Sequence, residues 1–133
     1  MTDRLSLRDH IPTKELENSS PEERFQTLTL RPVLKLQNQL ILGLFANYIK
    51  ESKSPFHTFS KEKKVLFVEN SLQKNIVLKN KLLGLCLAMF TKDEFEQYSE
   101  QTTLYNKRIM ALLTERIRSQ IQKVELALDS WKI

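Results

Sequence analysis

The sequence predicts an all-α fold: an antiparallel bundle of three long helices with two short extra helices. Three observations carry this reading. Gly 2 and Pro 4 in 133 residues leave few residues for the positive-φ turns that β-hairpins need. Apolar residues recur at spacings of three and four over long windows, the helical period. Serine or threonine followed three residues later by glutamate marks two helix starts.

Residues 1–19 read as an N-terminal arm and 20–133 as one helical-bundle domain. In the arm, His10-Ile11-Pro12-Thr13 interrupts any helix, because the residue before proline is pushed out of the α region. Leu5, Leu7, Ile11 and Leu16 are its candidate docking residues. Ser20, Pro21 and Glu23 then occupy the N-cap, N1 and N3 places of a capping box. The short helix they start should end near Thr27 or Leu30, with a break over 29–32, where Pro32 either kinks the helix or starts a new one as its N1 residue.

Helix A is expected from about Pro32 to Glu51, on the lines Val33, Leu36, Leu40, Leu44, Tyr48 and Leu34, Ile41, Phe45, Ile49. Ser54-Pro55 marks the following connection. Helix B should start at the N-cap Ser60 and run toward Phe90. Its last nine residues, Leu82 to Phe90, contain nothing charged. A segment apolar all round is expected to be buried all round, with Gly84 permitting close helix approach. Thr91 and Glu94 form the second capping box, opening a short helix from Lys92 to about Tyr98. Helix C should run from about Thr103 to Asp129. Its stripe is Asn106, Met110, Leu113, Ile117, Ile121, Val124 and Leu128, flanked by Ile109, Leu112 and Leu126. Trp131 either frays or folds back.

Charge is unevenly spread. The net charge is +5: residues 1–30 carry −2, residues 31–90 carry +7 and the remainder balances. The central excess includes Lys50, Lys53, Lys61, Lys63 and Lys64, near Phe56 and Phe59. It reads first as a solvated helix face, and second as an anion or nucleic-acid surface. Lysine, a point charge, lacks the planar fork with which arginine grips phosphate.

The chemistry of most enzyme classes is missing. His10 and His57 belong to no metal-ligand pair, and one cysteine with two remote histidines makes neither a zinc site nor a disulfide framework. Gly43 and Gly84 are isolated within helices, so no phosphate-cradling loop exists. Cys86 lies among Leu85, Leu87, Ala88 and Met89 and reads as a small buried hydrophobe. No cofactor is expected. No apolar run reaches the ~18 residues of a spanning helix, and Met1 to Leu16 has no signal-peptide core. A non-enzymatic cytoplasmic protein is therefore expected.

Polar residues within the apolar stripes form the remaining candidate site. Gln37, Asn38 and Asn106 either meet in a register-fixing hydrogen-bond layer, line a small-molecule pocket, or are turned to solvent. Arg31, Arg108, Arg116 and Arg118 either pair with Glu115 and other carboxylates or bind an anion.

The segments Glu23-Arg24-Phe25-Gln26, Thr29 to Asn38, and Phe90-Thr91 with Glu94, Tyr98 and Asn106-Lys107-Arg108-Ile109 resemble a family of small, uncharacterised helical proteins from Bacteroidetes-type bacteria. That family has no established activity to carry over. Some members bear the label glyoxalase, but glyoxalase-type domains are βαβββ units with His and Glu ligands. This helical pattern lacks such ligand spacing.

The leading expectation is a protein acting through protein–protein contacts, as a homodimer or with an unknown protein partner. Leu82, Leu83, Leu85, Leu87, Met89 and Phe90 are its expected interface, because a three-helix monomer has difficulty covering them. Nucleic-acid binding by the lysine face is the alternative, and no membrane partner is expected.

Overall fold

The computed structural model describes residues 4–8 and 18–130, and every regular element among them is helical. A 3-10 turn at Leu5–Leu7 precedes α1 (Pro21–Phe25), a π turn (Gln26–Leu30), α2 (Arg31–Leu36) and α3 (Asn38–Glu51). A 3-10 turn at Phe56–Thr58 leads to α4 (Lys61–Lys74) and α5 (Ile76–Leu87). The chain ends with α6 (Lys92–Glu100), α7 (Thr102–Arg118) and α8 (Ile121–Ser130). His10-Ile11-Pro12-Thr13, Leu16 and Trp131 lie outside the described residues.

The caps form where the sequence places them. The Glu23 amide donates to Ser20 Oγ at 3.1 Å and the Lys63 amide to Ser60 Oγ at 3.2 Å. Thr91 and Glu94 make a complete capping box: the Glu94 amide donates to Thr91 Oγ1, and the Thr91 amide to Glu94 Oε1 at 2.8 Å. Each side chain satisfies an amide that the first helical turn leaves without a partner.

Two of the three long helices are interrupted. Asn75 breaks helix B: its backbone is extended (φ −87°, ψ 104°), and its side chain accepts the Leu78 amide as the N-cap of α5. Helix C divides at Ser119 and Gln120, where the Gln120 amide turns back to the Ile117 carbonyl. Helix A only bends. Gln37 (φ −90°, ψ 7°) leaves ideal geometry, yet its amide still reaches the Val33 carbonyl and its carbonyl still accepts from Ile41.

The expected break over 29–32 is absent. Proline has no N–H to give to the preceding turn. The chain widens by one residue instead: the Arg31 amide reaches back five residues to the Gln26 carbonyl, and α2 continues with Pro32 in its first turn. The stripe of helix C is also rotated from expectation. Tyr105, Ile109, Leu112, Leu113 and Ile117 are buried on α7, while Asn106 and Met110 are only partly covered.

Side-chain pairs give the relative directions. Lys64 meets Glu125 (2.7 Å) while Glu69 meets Arg118 (3.2 Å), so α4 runs antiparallel to α7 and α8. Gln37 Nε2 donates to the Leu85 carbonyl at 2.9 Å, and Leu44 and Tyr48 share a shallow cavity with Val77, Leu78 and Lys81; α3 is therefore antiparallel to α5. The core between these helices includes Leu30, Leu34, Ile41, Phe45, Leu72, Leu82, Tyr105, Ile109, Leu113 and Val124. No helix among the described residues is long and apolar enough to cross a membrane.

Candidate functional site

The apolar run at the end of α5 is covered on one side within the chain. Leu82, Cys86 and Phe90 are buried, and Leu83, Leu85, Leu87 and Met89 are partly buried against the core. Phe90 packs edge-on against Phe25 (5.7 Å, 88°) and against Tyr98 (6.0 Å), so α1 and α6 supply much of the cover. Gly84 and Ala88, on the other side of the run, are exposed, so burial is not all round. Gly84 faces open space: a Cβ built on it meets nothing within 4 Å. Close helix approach is not its role.

A buried ion pair seals this end. Arg8 Nη1 and Nη2 donate to the two Glu94 carboxylate oxygens (2.6 and 2.8 Å), and Nη2 also donates to the Met89 carbonyl (2.6 Å). Thr29 Oγ1 adds a hydrogen bond to Glu94 at 2.7 Å. The side chains of Arg8 and Glu94 are 3% and 14% exposed. Burial pushes the Glu94 carboxyl up. The hydrogen bonds from Arg8, the Thr91 amide and Thr29, with the Arg8 charge, outweigh that and hold it below its ordinary range. Sequence reading found Glu94 as a cap but missed Arg8, whose partner lies 86 positions away. Leu5 and Leu7 stay exposed, so an arginine rather than a leucine ties this segment down.

The polar candidates separate. Asn38 and Gln120 exchange two hydrogen bonds of 3.0 Å, and Arg116 Nη1 donates to the same Asn38 oxygen at 3.2 Å. Gln37 instead reaches the Leu85 carbonyl. Asn106 accepts from the Tyr98 hydroxyl at 2.5 Å. Burial raises the Tyr98 hydroxyl pKa, partly offset by that hydrogen bond. Gln120 was the missed member of the layer, and Asn106 never joins it. Cys86 lies close enough to feel the Arg116 charge. Burial nevertheless pushes its thiol up to about 12, against a smaller lowering by Arg116, so it remains a thiol at neutral pH.

The lysine candidates do not form a stacking surface. Phe56 is buried and Phe59 partly so, in a ring cluster with Phe67. Lys63 Nζ lies 4.3 Å above the Phe59 ring, and Lys64 is paired with Glu125. Lys50, Lys53 and Lys61 are exposed, Lys53 with a positive φ of 54° in the turn after α3. Both aromatic rings that a single-stranded nucleic acid would stack on are turned into the protein. Among the described residues, no group of three or more His, Cys, Asp or Glu side chains is placed to hold a metal ion.

A groove of about 880 Å³ runs between α4, α5 and α7. Its apolar lining is Leu72, Leu83, Met110 and Ala111. Lys79, Lys107 and Arg118 line it together with Glu69 and Glu115, so both charge signs are present. At one edge stands Ile76, 70% exposed, beside Val77 at 64%. Asn75 creates this edge: by capping α5 it starts a new helix whose first two residues are apolar and face water. No protein-family model, no curated protein and no solved structure matches the chain.

Proposed function

We infer that the protein is a non-catalytic cytoplasmic interaction module that pairs with a second copy of itself through the groove between α4, α5 and α7. The observation that carries this reading is Ile76, a large apolar side chain exposed on the lip of an apolar-lined groove. Burying such a side chain is worth about 1.5–3 kcal/mol, and a two-fold axis counts every such contact twice. The mixed charges favour a second copy. Arg118 and Glu69 already pair within the chain, but Lys79 and Lys107 of one chain can face Glu115 of the other, so the surface is complementary to itself. A wholly basic surface would repel its own copy.

Light scattering at micromolar concentration tests this. The expected mass is twice 15.7 kDa, falling to 15.7 kDa in Ile76→Glu with an unchanged far-UV circular dichroism spectrum. A wild-type mass of 15.7 kDa throughout that range overturns the reading.

A further inference from the structure

A second cavity, of about 200 Å³, lies where α2 meets the junction of α7 and α8. Its lining includes Arg31, Arg116, Glu115, Ser119 and Gln120. We propose that this cavity is a binding site for a small tetrahedral oxyanion, inorganic phosphate, gripped between the guanidinium groups of Arg31 and Arg116.

Charge gives the first argument. Two arginines lining one small cavity repel each other, and among the described residues neither guanidinium has a carboxylate within ion-pair distance. Arg118 and Arg8, by contrast, both have one. Burial lowers the pKa of Arg116, and the Arg31 charge lowers it further. Glu115 and Cys86 act in the opposite direction without restoring it. Glu115 thus supplies some negative field at the cavity wall but leaves the arginine pair under-compensated. An anion between the two groups would remove their repulsion.

Preorganisation gives the second. Arg116 is held by its Nη1 bond to Asn38 Oδ1, and Asn38 is held by its double amide bond to Gln120. Gln120 Nε2 also donates to the Arg116 carbonyl at 3.0 Å, closing the ring of contacts. One guanidinium edge is therefore fixed by the protein, while Arg31 is exposed and able to close over a ligand. Arginine supplies the planar fork that suits phosphate.

Size gives the third. At about 30 Å³ per water, the cavity has room for one phosphate with a few waters. It is smaller than the ~300–1,000 Å³ pockets that enclose drug-sized ligands.

Isothermal titration with sodium phosphate, at ionic strength matched with sodium chloride, tests the site on the intact chain. Wild type should show saturable binding, weakened at least about tenfold in Arg31→Ala. That variant changes an exposed side chain and should fold. Arg116→Lys keeps the charge, loses the fork, and should weaken binding in the same direction. Lys61→Ala, outside this cavity, should bind as wild type does. Absence of saturable binding, equal affinity in Arg31→Ala, or equal weakening by Lys61→Ala would each overturn the proposal, the last by showing a diffuse basic surface.

Discussion

At the C-terminal end of α5, Leu82, Cys86 and Phe90 are shut away from water, and Arg8, Phe25 and Tyr98 close over the following turn. At its N-terminal end, Ile76 and Val77 stand in solvent. The local composition points the same way, since the exposed end lies beside Lys74, Asn75, Lys79 and Asn80 while the covered end is apolar, but it does not say what does the covering. Burial at each end is decided by what the rest of the chain brings to it. Residues distant in sequence reach the covered end; the exposed end has a groove instead.

The largest expected effect separates the ends most sharply. Leu82 is fully buried, so Leu82→Ala should destabilise by about 3 kcal/mol, the loss of transfer energy plus the cavity left behind. Urea unfolding measures it. A loss below about 1 kcal/mol would show that the core around α5 collapses freely, and the contrast between the two ends would weaken.

Next comes the clasp. Glu94→Gln leaves Arg8 buried without a counter-charge and should cost about 2 kcal/mol, between the values for surface and deeply buried pairs. The carboxyl of Glu94 lies below its ordinary value of 4.5 in the folded protein. Its stabilisation is therefore present in full above that ordinary range and is lost as pH falls through the lower, folded-state value. Wild type should lose stability on acidification over this window more steeply than Glu94→Gln. Parallel acid-unfolding curves would show that Glu94 does not secure this end.

Local features were legible in the sequence, and relations between distant residues were not. Ser20, Ser60 and Thr91 cap helices because each needs only an amide three residues ahead. The all-α class follows from the same local periodicity. The break at Asn75 was missed because an asparagine among polar residues looks like an exposed helix position, and only the extended backbone shows it acting as a cap. Pro32 predicts a kink or a fresh helix start over 29–32; α2 does carry it in its first turn, but one extra residue in the preceding turn keeps the helix unbroken. Asn38 was found as a polar residue within an apolar stripe. Its partners Gln120 and Arg116 lie 82 and 78 positions away and required the tertiary fold.

Gly84 allows a smaller test of the covered end. It lies within α5, and a Cβ placed there meets nothing within 4 Å. Alanine loses less backbone entropy on entering a helix, so Gly84→Ala should stabilise the protein by about 0.5–1 kcal/mol. Destabilisation in a thermal melt would mean that the solvent-facing side of α5 is more closely approached than the fold shows.

The smallest effect on the isolated chain is expected at Ile76. The side chain is 70% exposed, so Ile76→Ser should change monomer stability by less than about 0.5 kcal/mol, as is usual for surface positions. Its larger effect should appear only with concentration. Association that favours the folded state raises the apparent melting temperature as protein concentration rises. Wild type should show that rise; Ile76→Ser should show a reduced rise or none. Melts from nanomolar to micromolar protein, followed by intrinsic fluorescence, separate the two contributions. A large loss at the dilute end would mean that Ile76 packs within its own chain. Identical concentration dependence in both proteins would leave the exposed end of α5 without a part in self-association.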